Sequence, residues 1–455
     1  MWLFAALQSA LGDAGAAGLL VLPGVAGAAR FPIWSTGANA LPLGDAPPPS
    51  EIFNWADASA QGEDWTPFTQ WWGSSAGFGD AVAAYWSRLG SRTLGASLVN
   101  ASAWGGFVEA LAFYEPSGTQ DDIIALPTSK LFDYINVGVF RSQWNATQQN
   151  YISFKGGNSG WNHGHLDLGT FVYDFAGSRL CEVSDGTDVL SIPQASRRLG
   201  SGETFRARGA APNSCPPPPP PPPTAQDLGA DSYNLPGYFG RERWDYYRLN
   251  SLGHSVPIFG NESQTHPVAA PITAFNATGV PPKDANISLD GFAVVDLTAA
   301  YATSAGAVSA RRGFVSLTGS AALVIVDEFI YNNQTRPANV TWRFHTRAAA
   351  AQITRVEVGL DWPRAQLAVL QSTSCMDSFG GFTVTDATTL LPDPPFNSAK
   401  GLSRVEALFS SPSPACSTLA FAVGGSAIVS QLLFGYPAIR PIDAWATLGP
   451  LDYSQ

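Results

Sequence analysis

Hydrophobic positions follow two different periods along this chain, and the change falls near residue 145. Before it, WLFAALQSAL, GDAVAAYWSRLGSRTL (Gly79 to Leu94) and SAWGGFVEALAFYEP (Ser102 to Pro116) repeat apolar residues at helical spacing. Pieces rich in Pro and Gly, such as PLGDAPPPSE (Pro42 to Glu51), separate them and predict loops. Beyond residue 150 the period shortens to two. TFVYDF (Thr170 to Phe175), FAVVDLTAAY (Phe292 to Tyr301), RRGFVSLTG (Arg311 to Gly319), ALVIVDEFIY (Ala322 to Tyr331) and NVTWRFHT (Asn339 to Thr346) predict strands. GFTVTDAT and TLAFAVGGSAIVSQLLF continue the pattern near the C-terminus. Helices in one block and strands in another exclude a doubly wound βαβ fold and predict an α+β multidomain chain. Its expected divisions are a helical part over 1–145, an antiparallel β-sandwich over 146–350, and a C-terminal β-sheet region over 351–455.

One segment fits neither period. Residues 197–224 include eight consecutive prolines, Pro216 to Pro223, which can enter neither a ladder nor a helix interior. An exposed, extended insertion is expected there, with Cys181 and Cys215 placed to close its base. The glycine-rich run before TFVYDF carries two of the five histidines, in FKGGNSGWNHGHLDLG (Phe154 to Gly169). If HGHLD belongs to the strand that follows, His163, His165 and Asp167 share one face. A His-x-His pair by itself is as compatible with a surface or satisfied core position as with a metal.

Composition narrows the partners. The chain has 455 residues, 45% of them apolar and 13% charged, with 45 Gly and 35 Pro, as a folded, turn-rich protein of more than one domain requires. A net charge of -11 removes the term that drives nucleic-acid binding. The longest uncharged run, Ala14 to Ala29, is 16 residues and contains Pro23, too short for a membrane span. Seven sequons, at Asn100, Asn145, Asn261, Asn276, Asn286, Asn333 and Asn339, point to a glycosylated secreted or luminal protein. Four cysteines permit two bridges. Oligomeric state is not legible.

A local basic and aromatic cluster breaks the acidic background. Asp227 to His254, DLGADSYNLPGYFGRERWDYYRLNSLGH, holds Tyr233, Tyr238, Tyr246, Tyr247, Arg241, Arg243 and Arg248 beside a third histidine. Arginine forks suit a carboxylate, and tyrosine faces suit a sugar ring. With FKGG and NHGHLDLGTFVYD upstream, this cluster resembles the heparinase II/III family of polysaccharide lyases. FNWADAS (Phe53 to Ser59), RRGF, VIVDEF and WRFHT extend the resemblance over most of the chain.

That resemblance implies an (α/α) toroid followed by an antiparallel β-sandwich, with the cleft between them. It implies β-elimination at a 4-linked uronic acid of an acidic polysaccharide. His163 corresponds to the family's catalytic histidine and Asn162 to a substrate-contacting asparagine; Tyr233, Tyr238, Arg243 and Arg248 are the expected substrate-binding set. His165, Asp227 and His254 correspond to zinc ligands, and two imidazoles with one carboxylate suit that metal. Two departures accompany it. The first tyrosine is Tyr85, so the family's catalytic tyrosine is expected upstream of residue 1, in a longer form of which this chain is an N-terminally truncated piece. The insertion separates His165 from Asp227 by 62 positions, so it must loop out between paired strands. The alternative function is a non-catalytic, zinc-stabilised sandwich that binds acidic polysaccharide.

Overall fold

The computed structural model describes residues 25, 27–38, 53, 56–57, 71–74, 78–97, 115–144, 149–181, 229–277, 287–319, 321–331, 337, 339–360, 365–371, 373–391, 395–397, 399, 401–410 and 416–454. The Pro-rich insertion, Cys215, Asp227 and the segments WLFAALQSAL and PLGDAPPPSE lie outside them.

Helices occupy the N-terminal part. The helix over Ala81–Ser97 forms where alanine-rich sequence follows a carboxylate, since Asp80 Oδ1 accepts from the amides of Val82 (3.0 Å) and Ala83 (3.3 Å). Arg30, at the start of the helix Arg30–Ser35, donates to the same carboxylate at 2.8 Å. The short helix Gln120–Ile124 begins in a capping box made by Thr119 and Asp122.

Strands begin earlier than the change of period suggests. In chain order they are β1 (Ser129–Phe132), β2 (Val137–Arg141), β3 (Tyr151–Lys155), β4 (Gly157–Asn158), β5 (Phe171–Phe175) and β6 (Ser178–Cys181). After the insertion come β7 (Pro257–Phe259), β8 (Ala269–Ala270), β9 (Ile272–Asn276), β10 (Leu289–Asp296), β11 (Ala307–Leu317), β12 (Ala322–Tyr331) and β13 (Asn339–Thr346). The last are β14 (Ala350–Thr354), β15 (Glu357–Leu360), β16 (Ala365–Val369), β17 (Phe379–Asp386), β18 (Ser403–Ser410) and β19 (Thr418–Gly425). They build a five-stranded sheet β1-β2-β3-β5-β6, an eight-stranded sheet β14-β15-β16-β19-β12-β11-β10-β9 and a four-stranded sheet β17-β18-β13-β7, all antiparallel. The boundaries expected at 145 and 350 therefore run through sheets: β1 and β2 precede the first, while β14 to β19 complete the two sheets that β7 and β9 to β13 begin. Pairing between strands, which no local period records, makes these parts continuous.

The eight-stranded sheet is buried on both faces, which is why ALVIVDEFIY reads almost continuously apolar. Leu323 and Ile325 face a core shared with Phe154, Phe171, Trp342 and Phe409 of the smaller sheets, while Ala322, Val324 and Val326 face the opposite way onto Val429, Leu432 and Trp445. Trp342 stacks on Phe421 at 3.9 Å and Phe154 on Phe314 at 4.7 Å, tying the layers together. A third core, with Ile33, Trp34, Val82 and Leu89, seats the N-terminal helices against β2, β3 and β5 through Val139, Tyr151 and Val172.

Two predicted strands end early. TAAY (Thr298–Tyr301) turns helical after β10, and the apolar run after Gly425 forms the helix Ser426–Leu433 that covers the outer face of the sheet. Short apolar runs do not distinguish strand from buried helix. Cys375 and Cys416 form a disulfide, and of the sequons Asn261 and Asn276 are exposed and Asn339 is half-buried. No helix among the described residues is long and apolar enough to cross a membrane.

Beneath the histidine-bearing loops lies a wholly buried ion pair. Arg312 of β11 donates from Nε to Asp327 Oδ1 (2.6 Å) and from Nη2 to Oδ2 (2.8 Å), and Trp342 Nε1 donates to the same carboxylate at 3.1 Å. Its remaining nitrogen, Nη1, donates to the carbonyls of Gly169 (2.8 Å) and Ser255 (2.7 Å). Removing one partner of such a pair leaves a charge stranded in the core. Arg312→Met should cost about 3–5 kcal/mol in urea denaturation, and adding Asp327→Leu should restore part of it. An unchanged midpoint in the single variant would show that the pair does not hold the sheet.

Candidate active site

The stretch from Ser159 to Thr170 connects β4 to β5, and it is loop throughout rather than the start of a strand. His163 sits at φ 60°, in the left-handed region, so the alternation that would align His163, His165 and Asp167 does not operate. The side chains part accordingly: His163 is 42% exposed, whereas His165 and Asp167 are fully buried. Gly169 supplies a second positive φ, 85°, where a Cβ would come within 2.9 Å of Leu297.

Each turn of the loop is held from the segment 229–268. Leu166 N donates to the Leu249 carbonyl (3.0 Å), Ser251 Oγ donates to the Leu166 carbonyl (2.7 Å), and Gln264 grips both polar groups of Leu168 (2.9 and 2.7 Å). Arg243 donates to the Gly164 carbonyl at 3.0 Å. His254 follows a 3-10 turn, Ser251–Gly253, in which the Leu252 amide donates to the Asn250 side chain. Its ring lies 5.3 Å from that of His165, centroid to centroid.

Asp57 lies at the centre of these contacts. Its Oδ2 is 2.7 Å from His163 Nδ1 and 3.2 Å from Arg243 Nη2; its Oδ1 is 2.9 Å from His165 Nε2 and accepts from the Tyr238 hydroxyl at 2.8 Å. The backbone joins in, because Asp57 N donates to the His163 carbonyl at 3.3 Å. Around the outer side of His163 stand Tyr233 and Phe239, with ring centroids 6.1 and 5.4 Å away, both more than half-open to solvent or nearly so at 50% and 59%. Asn162 is exposed beside them.

Comparison with solved structures shows that the fold is a known one. Superposed on heparinase III, the chain gives a TM-score of 0.53 at 13% identity, over 93% of its own length and 53% of that chain. The chain is similar in fold to heparinase III. Against heparan sulfate lyase HepC from Pedobacter heparinus the TM-score is 0.45 at 11% identity, over 85% of this chain and 45% of the other. The chain thus spans about half the length of the structures it resembles. No family model and no curated relative matches the sequence.

Within this heparinase III-like fold the expected site residues fall into three groups. His163, Asn162 and Tyr233 are exposed together on one rim. Tyr238 and Arg243, expected to meet substrate, are buried and turned inward onto Asp57, with the Arg243 guanidinium 5.0 Å over the Tyr238 ring. Arg248 is a correction to the sequence reading: it is fully buried, its Nε 3.6 Å from Asp231 and its Nη2 on the Asn397 carbonyl, so it anchors the 229–250 segment from inside. Asp57 was legible only as a letter of FNWADAS, and Phe239 only as an aromatic in its cluster.

His165, Asp167 and His254 could hold a metal ion: one donor atom from each lies within 4.8 Å of the others, and all three are buried. The chemistry of these donors fits. His165 Nδ1 and both ring nitrogens of His254 are buried with no hydrogen-bond partner, and burial drives both imidazoles toward the neutral, coordinating form, His254 being pushed down to about 3. Asp167 is held by Lys155 Nζ at 2.6 and 2.7 Å; burial would raise its carboxyl, but the Lys155 ammonium beside it brings it below the ordinary range. For Asp57 too, burial opposes ionisation and is overcome, here by His165, Arg243 and Tyr238. Tyr238 is raised by burial and then by the Asp57 charge, so it keeps its proton.

A third buried histidine, His345, is also driven well down by burial and by Arg343 and Arg404. Below the ordinary value of 6.5 the unfolded chain takes up protons that folded His165, His254 and His345 refuse. Stability of the metal-free protein should therefore fall as pH drops from neutrality toward 4, by up to about 1.4 kcal/mol per pH unit for each histidine. Denaturation free energies measured across that window check this, and His345→Gln should flatten the slope; a level profile would contradict the burial of neutral imidazoles.

Proposed function

We propose that this chain carries the sandwich side of a polysaccharide lyase that cleaves acidic polysaccharide at a 4-linked uronic acid by β-elimination. The observation that carries the reading is His163: an exposed imidazole, anchored at Nδ1 and ringed by Tyr233 and Phe239, on the fold that heparinase III shares. Its other ring nitrogen has no hydrogen-bond partner among the described residues, as a group that takes the C5 proton of a uronate requires. Tyr233 places a hydroxyl 3.5 Å from the same ring; burial and Asp57 raise its pKa, so it stays protonated and has a proton to give to the departing O4, although the same shift makes it a weaker acid. The aromatic faces of Tyr233 and Phe239 suit the apolar side of a sugar.

The helices before β1 would form the last part of an (α/α) toroid whose remainder supplies the opposite cleft wall. The buried group of His165 and His254, with Asp167 or with Asp227, would hold zinc. Bound there, zinc would tie the loop bearing His163 to the segment after the insertion by charge and coordination. A non-catalytic sandwich that binds acidic polysaccharide is the second reading, favoured by Arg243 facing inward rather than toward a substrate carboxylate.

Elimination creates a C4–C5 double bond, so ultraviolet absorbance of the unsaturated product decides between the two. A form of the protein that includes the toroid should generate it from uronate-containing polysaccharide, and His163→Ala should lower the rate by about 10²–10⁴-fold. Binding without absorbance change in that form would favour the second reading. Metal analysis of this chain should find about one equivalent of zinc, and His254→Ala should lose it; full occupancy in that variant would remove the zinc assignment.

A further inference from the structure

Asp57 meets two histidines with different work through one carboxylate. The contacts to His163 Nδ1 and His165 Nε2 use opposite oxygens, at 2.7 and 2.9 Å, and the side chain is only 3% exposed. An ionised carboxylate can only accept hydrogen bonds, so the nitrogen that faces it in each ring must carry the proton. Tyr238 and Arg243 add two further donors, at 2.8 and 3.2 Å, which fill the acceptor sites and leave no freedom for either ring to turn over.

We infer that Asp57 is a positioning residue that sets the tautomers of both histidines at once: Nδ1–H in His163, leaving Nε2 as the free lone pair at the rim, and Nε2–H in His165, leaving its buried Nδ1 as the lone pair available to a metal. The chemistry of the two histidines is thereby coupled through a residue 106 positions away in sequence from His163. Neutral histidine in water favours Nε2–H, so an exposed His163 without this partner would present a proton where a base is needed. His165 Nδ1 is buried with no hydrogen-bond partner, which agrees with its being the coordinating atom. The catalytic part of this inference rests on the lyase reading; the tautomer assignment and its link to metal binding do not.

The test is nitrogen-15 NMR of the full chain with labelled histidine, the His163 signals identified by their loss in His163→Gln. The unaltered protein should show His163 as the Nδ1–H tautomer. Asp57→Asn, whose amide can donate to the ring, should move His163 toward Nε2–H with the melting transition retained, and Asp57→Glu should restore part of the original signature. Zinc affinity, titrated against a competing chelator, should fall about 10–100-fold in Asp57→Asn. In a lyase-competent form the same change should depress kcat with little effect on KM. An Nε2–H signature for His163 in the unaltered protein overturns the inference even if Asp57→Asn does not fold, and so does an unmoved signature in a folded Asp57→Asn. Absence of elimination activity in a form including the toroid would sink the lyase reading while leaving the NMR and zinc outcomes to decide the role of Asp57.

Discussion

The Arg312 guanidinium is the point at which fold and site become one structure. Deep in the sandwich it is neutralised by Asp327, across the β11–β12 pair, yet its remaining nitrogen reaches out of the sheet to the carbonyls of Gly169 and Ser255. Those carbonyls close the two chain segments that bear His163, His165 and Asp167 on one side and His254 on the other. A buried charge tolerates little displacement, because any movement strands it without partners. Both segments are therefore tied to a charge buried in the core of the sandwich.

Above that foundation the site is built by division of burial. A left-handed backbone at His163 turns one imidazole out, while His165 and Asp167 after it are buried. Inside, desolvation keeps the imidazoles neutral and leaves ring nitrogens unpartnered, a state that costs free energy unless a cation or water meets them. Outside, aromatic rings flank the exposed histidine. Asp57 joins the two environments, and its contacts to Tyr238 and Arg243 recruit side chains that by residue type alone would be expected to face a ligand. An arginine and a tyrosine can serve substrate or scaffold equally well; what separates the roles here is where the guanidinium finds its acceptors.

Similarity of fold to heparinase III and this geometry support each other without being the same kind of statement. The likeness concerns the path of the backbone over half of a longer architecture. The chemistry rests on named atoms: an anchored imidazole at the rim, a neighbouring phenol that keeps its proton, and a buried donor set of two histidines and a carboxylate.

Much of the architecture was legible in the chain itself. Period-two runs such as ALVIVDEFIY and NVTWRFHT mark their strands to the residue, because burial on alternate or on both faces is written locally in side-chain type. The density of histidine, tyrosine and arginine in two stretches likewise announces a site, although the sequence left open whether HGHLD belongs to the strand that follows. What sequence could not decide were matters of partnership. Strands on both sides of residues 145 and 350 share sheets because backbone groups pair across long separations, and GGSAIVSQLLF turns helical because it covers a finished sheet face. Asp57 is one carboxylate among many until the fold carries it 106 positions to His163 and 181 positions to Tyr238. Local pattern specifies which face is apolar; only the closed tertiary structure specifies which proton faces which acceptor.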